Sequence, residues 1–267
     1  MVVKTFKPTP RLAKYIKCYY YLENTDVISV HDTFFADGCI EAVFSVGWDF
    51  YKDGTKEDWA KVIGQIIKPR TLKVVGKGQS FGIWFYPHSF SSFLRVPVHE
   101  LTDRVIPWED LFPASFARIV GDLLADNHLD ELPDVADAFL LRILEWREER
   151  AIDKLTEAAV SYLYENQGTQ DLNHLASTLN VSPRYLQKAF LTNVGFSQAK
   201  FLRILRFQRV LQRLSLGAVS NLTSLAYEGN FFDQSHFIRE FKAFTGMIPS
   251  AFSAEKLPIN RLFVTTE

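Results

Sequence analysis

A chain of 267 residues with 47% hydrophobic and 14% aromatic side chains carries enough apolar surface for two packed domains and is not a disordered polymer. A formal net charge of −1 gives no hint of a polyanionic partner, and no run approaches the ~20 apolar residues that span a bilayer. With only Cys18 and Cys39, and a start (Met1 to Tyr15) interrupted by Lys and Pro, the expectation is a reduced, cytoplasmic protein without a secretion signal or a membrane association.

Residues 1–90 read as β structure. Lys17 to Leu22 contains three consecutive tyrosines, and Thr33 to Phe35 precedes the turn pair Asp37-Gly38. Ile40 to Val46 then alternates, with Ile40, Ala42, Phe44 and Val46 on one face and Glu41, Val43 and Ser45 on the other. Lys61 to Ile67, Leu72 to Val75 and Phe81 to Tyr86 are further strands punctuated by glycines, a pattern that predicts a barrel or sandwich. Aromatic stretches, Trp84 and Tyr86 among them, suit a barrel core first and a ligand-pocket lining as the alternative. Glu41 and Arg95 are the charges nearest apolar segments and are the candidates to orient a ligand.

From Ser89 the spacing turns helical. Ser89 to Arg95 is short and stopped by Pro97, and Trp108 to Asp126 and Leu132 to Arg150 are amphipathic. Both long helices can pack on the sheet and on each other, or form the seam of a homodimer. The charged run Glu145 to Asp153 marks a boundary, giving an N-terminal domain over 1–150, a second over 151–257 and a tail over 258–267. A first helix of the second domain runs from Ile152 through Leu163 and ends at Gly168. The second domain carries eleven Lys and Arg against eight Asp and Glu, a difference of +3 that leaves −4 for the rest.

The second domain repeats itself. Leu172 to Leu222 is an offset of 50, while Phe190 to Phe241, Gly195 to Gly246 and Phe201 to Phe252 are offsets of 51. Each copy reads as helix, tight turn, helix. Asp171 and Asn221 are placed to cap the first helices, Asn180 and Asn230 to make the turns, and Ser182 and Asp233 to cap the second helices. Leu186 and Phe190, like Phe237 and Phe241, point inward, which leaves Arg184, Gln187 and Lys188 outward in one copy and Gln234, Ser235 and Arg239 in the other. Such side chains at the start of a second helix are the ones that read base edges in a major groove. Between the copies, Ser197 to Ser215 forms a helix of roughly 28 Å, comparable with the ~34 Å between successive grooves on one face of DNA. Lys200, Arg203, Arg206 and Arg209 recur along it and, with His236 and Lys242, are candidates for the phosphate backbone, the alternative for some of the arginines being pairing with acids across the domain interface.

Leu175-Ala176, Ser182, Phe190 and Gly195, followed by Asp233-Gln234-Ser235-His236-Phe237, Arg239, Phe241-Lys242, Phe244-Thr245-Gly246 and Pro249, resemble the paired helix-turn-helix domain of AraC/XylS-type transcription regulators over residues 153–255. The chain departs from the family at Asn230, where the family usually carries Gly. Ala36 to Glu41 with Phe81 to Pro87 resembles, less closely, the cupin-like domain that precedes some of these DNA-binding domains. The resemblance implies an α+β protein: a cupin-like β-barrel with following helices, then an all-α domain of two helix-turn-helix units joined by a long helix. It implies sequence-specific binding of double-stranded DNA, a homodimer, a small-molecule effector and contact with RNA polymerase. The sequence leaves open the effector, the operator and whether the output is activation or repression. No pair of histidines has metal-ligand spacing, and no phosphate loop or nucleophile motif occurs, so neither a metal, a cofactor nor an enzymatic activity is expected.

Overall fold

The computed structural model describes residues 1–94, 96–146, 153–166, 172–216, 221–253, 257 and 259. Seven antiparallel strands form one sheet: β1 (Val2–Phe6), β2 (Ile16–Phe34), β3 (Ile40–Lys52), β4 (Thr55–Lys56), β5 (Ala60–Ile63), β6 (Arg70–Phe85) and β7 (Val105–Pro107). The order is β1-β2-β6-β3-β5-β7, with the short β4 paired to β3. The sheet is open. β1 and β7 lie at its two edges and do not pair, so the closed barrel expected from the strand pattern is corrected to a curled sheet.

The strands are also longer and fewer than the turn signals suggested. Lys17 to Leu22 and Thr33 to Phe35 fall largely on the single strand β2, and Leu72 to Val75 and Phe81 to Tyr86 largely on β6. Those signals mark bends inside strands rather than ends. Register shifts occur between Asn24 and Ile28 and between Val46 and Trp48. At the bend the backbones of β3 and β6 nearly touch: a Cβ on Gly78 would stand 2.1 Å from the Val46 carbonyl oxygen, and Gly47 takes φ +87°. Only glycine permits that approach and that torsion.

Cross-strand register fixes what each face carries. Tyr19, Ile83, Ala42 and Val62 share one face and Tyr20, Gly82, Val43 and Lys61 the other. The first face packs against α1 (Ala114–Ala125) and α2 (Leu132–Trp146) around Phe44, Trp108, Phe116 and Leu140. Trp108 sits at the hub, 4.5 Å from the Phe112 ring and 5.0 Å from the Phe44 ring. The helix expected from Trp108 begins only after Pro113, since Trp108–Asp110 is a 3-10 turn. Ser89 to Arg95 likewise reduces to the 3-10 turn Phe90–Ser92.

The carboxy-terminal half is helical: α3 (Lys154–Glu165), α4 (Leu172–Thr178), α5 (Pro183–Asn193), α6 (Gln198–Ser215), α7 (Leu222–Glu228) and α8 (Gln234–Thr245). Gly168 and Asp171, expected to end α3 and cap α4, lie outside the described residues, as does most of the connector around residue 150. Phe35 and Ala36, from the turn after β2, join the core of this half, where Phe35 meets Phe207 edge-on at 6.1 Å. Among the described residues no helix is long and apolar enough to cross a membrane.

Gly78→Ala tests the bend. Its Cβ has no room beside the Val46 carbonyl, so the substitution should destabilise the chain by about 1–3 kcal/mol in urea titration. An unchanged midpoint would contradict the close approach of β3 and β6.

Candidate nucleic-acid interface and cavity

The two helix-turn-helix copies are built by the same local devices. Asn180 and Asn230 adopt positive φ of 54° and 57°. Each turn closes with the same pair of backbone bonds: Asn180 N–H to Ser177 O and Val181 N–H to Ala176 O, then Asn230 N–H to Tyr227 O and Phe231 N–H to Ala226 O. This is a helix ending in a left-handed residue, which Asn tolerates. The next helix begins at once. The Ser182 hydroxyl accepts from the Tyr185 N–H at 3.2 Å, and the Asp233 carboxylate from the His236 N–H at 2.7 Å. Asn221 caps α7 in the same way, accepting from the Ser224 N–H at 2.7 Å.

Capping and the buried pairs Leu186/Phe190 and Phe237/Phe241 set the rotation of α5 and α8. Arg184, Gln187 and Lys188 are exposed on α5, and Gln234, Ser235 and Arg239 on α8. Gln234 Oε1 also accepts from the Thr223 hydroxyl at 3.1 Å, which ties α8 to α7. His236 is half-buried, its Nδ1 accepting from the Phe232 N–H at 3.3 Å and its ring against Phe231, and Lys242 is exposed. The outward-residue reading passed over Tyr185 and Phe232. Both are exposed, Phe232 at 87%; the signals were an aromatic on the polar face of α5 and another in the turn just before the α8 cap.

The basic residues of α6 are engaged within the protein. Arg203 donates from Nε and Nη2 to the two Glu240 oxygens at 2.6 and 2.9 Å, a bidentate fork across to α8. Lys200 stands 4.8 Å over the Phe244 ring, and burial lowers the pKa values of Lys200 and Arg206. Arg209 faces a cavity. The phosphate-facing stripe that their spacing suggested therefore has competing partners, the acid at position 240 above all.

The cavity is about 610 Å³ and lies on the Tyr20/Val43/Lys61 face of the sheet, roofed by α6 through Leu205, Gln208 and Gln212. Of the ligand candidates, Glu41 and Trp84 line it; Tyr86 does not and instead stacks on His88 at 6.0 Å, and Arg95 lies outside the described residues. Gly82 lets Tyr20 lie flat across the sheet, since a Cβ there would stand 2.0 Å from the Tyr20 ring. The Tyr20 hydroxyl then reaches Glu41 at 3.4 Å. Asp37 accepts from the Trp84 indole N–H at 3.0 Å and the Cys39 N–H at 2.9 Å. Burial, and then the nearby Asp37, push the Glu41 carboxyl up to about 8.

A family profile described as a helix-turn-helix domain matches residues 175–255. The carboxy-terminal domain is an AraC-type helix-turn-helix domain, and the chain is a DNA-binding transcription regulator. Residues 4–107 match a profile described as a domain of unknown function (DUF6597). No curated protein sequence matches the chain. Among solved structures it is similar to ToxT from Vibrio cholerae O395, with 12% identity over 92% of this chain and 98% of that one and a TM-score of 0.47. It is similar to unsaturated fatty acid bound wild-type ToxT from Vibrio cholerae strain SCE256, with 12% identity, 86% and 95% coverage and a TM-score of 0.44. It is also similar to the C-terminal domain of AraT, a response regulator from Geobacillus stearothermophilus, with 23% identity over 36% of this chain and 80% of that one and a TM-score of 0.34.

Two predictions rest on this geometry. Arg203→Ala should cost about 1–3 kcal/mol of stability in urea, because Glu240, only 15% exposed, loses its bidentate partner; lost DNA affinity at unchanged stability would make Arg203 a phosphate contact. The folded chain also holds a proton on Glu41 that the unfolded chain releases above about 4.5. Stability should therefore fall as pH rises from about 6.5 to 8, above the range in which His88, lowered by burial to about 4, works in the opposite direction, and Glu41→Gln should flatten the fall. That window lies below the titration of Lys61, which burial lowers to about 8. Parallel pH profiles for the two chains would contradict the assignment.

Proposed function

We propose that this AraC-type regulator reads its operator with α5 and α8, each in one of two successive major grooves, under the control of its amino-terminal half. Arg184, Gln187 and Lys188 meet base edges in one groove and Gln234, Ser235 and Arg239 in the next. Lys242 and His236 meet phosphates. The division between the two halves falls near residue 150. The observation that carries this reading is the pair of identically capped helices with exposed polar faces, one before and one after α6 in the chain.

The charge balance of the helical half is small, so placed contacts and a second copy of the chain supply much of the affinity. A homodimer doubles the half-sites, and α1 with α2, which leave Ile119 and Trp146 exposed, is the surface we assign to it. Contact with RNA polymerase belongs to the same proposal.

The cavity is the second part of the proposal. It is lined by the sheet and by α6 together, so a small-molecule effector there would touch both halves at once. The halves also meet elsewhere: the Thr102 hydroxyl donates to the Gly195 carbonyl at 2.9 Å at the α5–α6 turn, and the Gln208 amide donates to the Ala36 carbonyl. An occupant that shifts α6 therefore shifts the helices that α6 carries.

Selection from random DNA with the purified chain should return two short half-sites about 10–10.5 bp apart. Affinity should fall steeply with salt, with log K linear in log salt concentration. A single unpaired site, or a flat salt response, would sink the proposal. Arg239→Ala should cost about 1–3 kcal/mol on the selected site and much less on random DNA.

A further inference from the structure

We propose that the cavity between the sheet and α6 takes a small monoanion with an apolar body, its head held by Lys61 and Arg70. The proposal rests on the effector reading above and goes further by assigning the ligand's charge.

Register places both cations on the cavity wall. Lys61 lies across from Val43 in the row that carries Tyr20 and Gly82, and Arg70 lies across from Phe34 at the far end of β6. Both are buried, Lys61 to 2% exposure. They share one carboxylate: Glu57 is ion-paired with Arg70 and stands 3.1 Å from Lys61 Nζ. Two cations against one anion leave an excess positive charge inside the protein. Asp53 and Asp58 act on the two cations only through space.

Their donors are unfilled as well. Lys61 Nζ and Arg70 Nε make no hydrogen bond among the described residues. Lys61 instead stands 4.4 Å over the Phe50 ring. Unsatisfied donors on a buried charge are costly, and an anion seated between them removes that cost. Burial has already drawn the Lys61 ammonium down to about 8, as expected of a cation without a full counter-charge.

The acidic residues of the cavity wall do not offer the reverse charge. Asp37 is satisfied by Trp84 and Cys39, with Lys17 nearby and standing 4.4 Å over the Trp84 ring. Glu41, beside it, is held in its protonated form at neutral pH. Glu41 therefore presents a neutral acid to a ligand, not a site for an amine. Leu22, Val43 and Leu72 give the cavity an apolar wall, and Arg209 adds a third cation from α6. About 610 Å³ accommodates a body of drug size.

The test is calorimetric titration of the full chain with octanoate, octan-1-ol and octylamine, three probes that differ only in the head. Octanoate should bind at least tenfold more tightly than the alcohol, and octylamine more weakly still. Lys61→Met, which keeps the buried stem, should weaken octanoate about tenfold or more while leaving octan-1-ol unchanged. Glu57→Gln, which removes the competing carboxylate, should tighten octanoate. Equal binding of octanoate and octan-1-ol, or tighter binding of octylamine, would overturn the charge assignment while leaving the cavity an effector site. No heat with any of the three would overturn the effector reading together with it.

Discussion

The structure depends on α6 being buried along nearly its whole length. Phe201, Ile204, Phe207, Val210 and Leu211 are all buried, on more than one side of the helix. A helix that is apolar over so much of its circumference cannot rest on a surface; something must pack on each side of it. Here the first helix-turn-helix unit takes one flank through Phe190, the second takes another through Phe241 and Phe244, and the turn after β2 takes a third through Phe35 and Gly38. Each fully buried Phe contributes roughly 1.5–3 kcal/mol, so the spacing of the two units is a property of a core and not of a linker.

That same burial explains why the charges of α6 are placed as they are. A helix packed on several sides has little perimeter left for solvent, and its arginines emerge next to other elements. Arg203 meets Glu240 of α8, and Arg213 meets Glu228 of α7 at 2.8 Å. These pairs pin the second unit to α6 at two points. Arg209 emerges on the cavity instead. The proposed link between an effector and DNA needs no further mechanism: whatever fills the cavity presses on the element that sets the distance between the two recognition helices.

Much of the helical half was legible because its signals are local. A cap, an Asn at the turn and two apolar residues four apart fix each recognition helix within a dozen residues, and the repeat at offsets of 50 and 51 says that the device occurs twice. The sheet was less legible because its determinants are long-range. Gly47 and Gly78 read as strand ends, but they allow two continuous strands to bend against each other. Whether the edges β1 and β7 meet depends on curvature that no local pattern encodes. Glu41 was found because it alternates with apolar residues. Lys61 and Arg70 were missed because a lone cation in a strand usually faces water, and only the register with Val43 and Phe34 turns these two inward.

The central claim is that two copies of one capped helix, held apart by a packed core, address two neighbouring grooves. Guanine-methylation interference on the selected operator tests it most directly. The account predicts two clusters of interfering guanines about one helical turn apart for each bound chain, with Arg184→Ala erasing only one cluster and Arg239→Ala only the other. A single cluster, or the loss of both with either substitution, would contradict it.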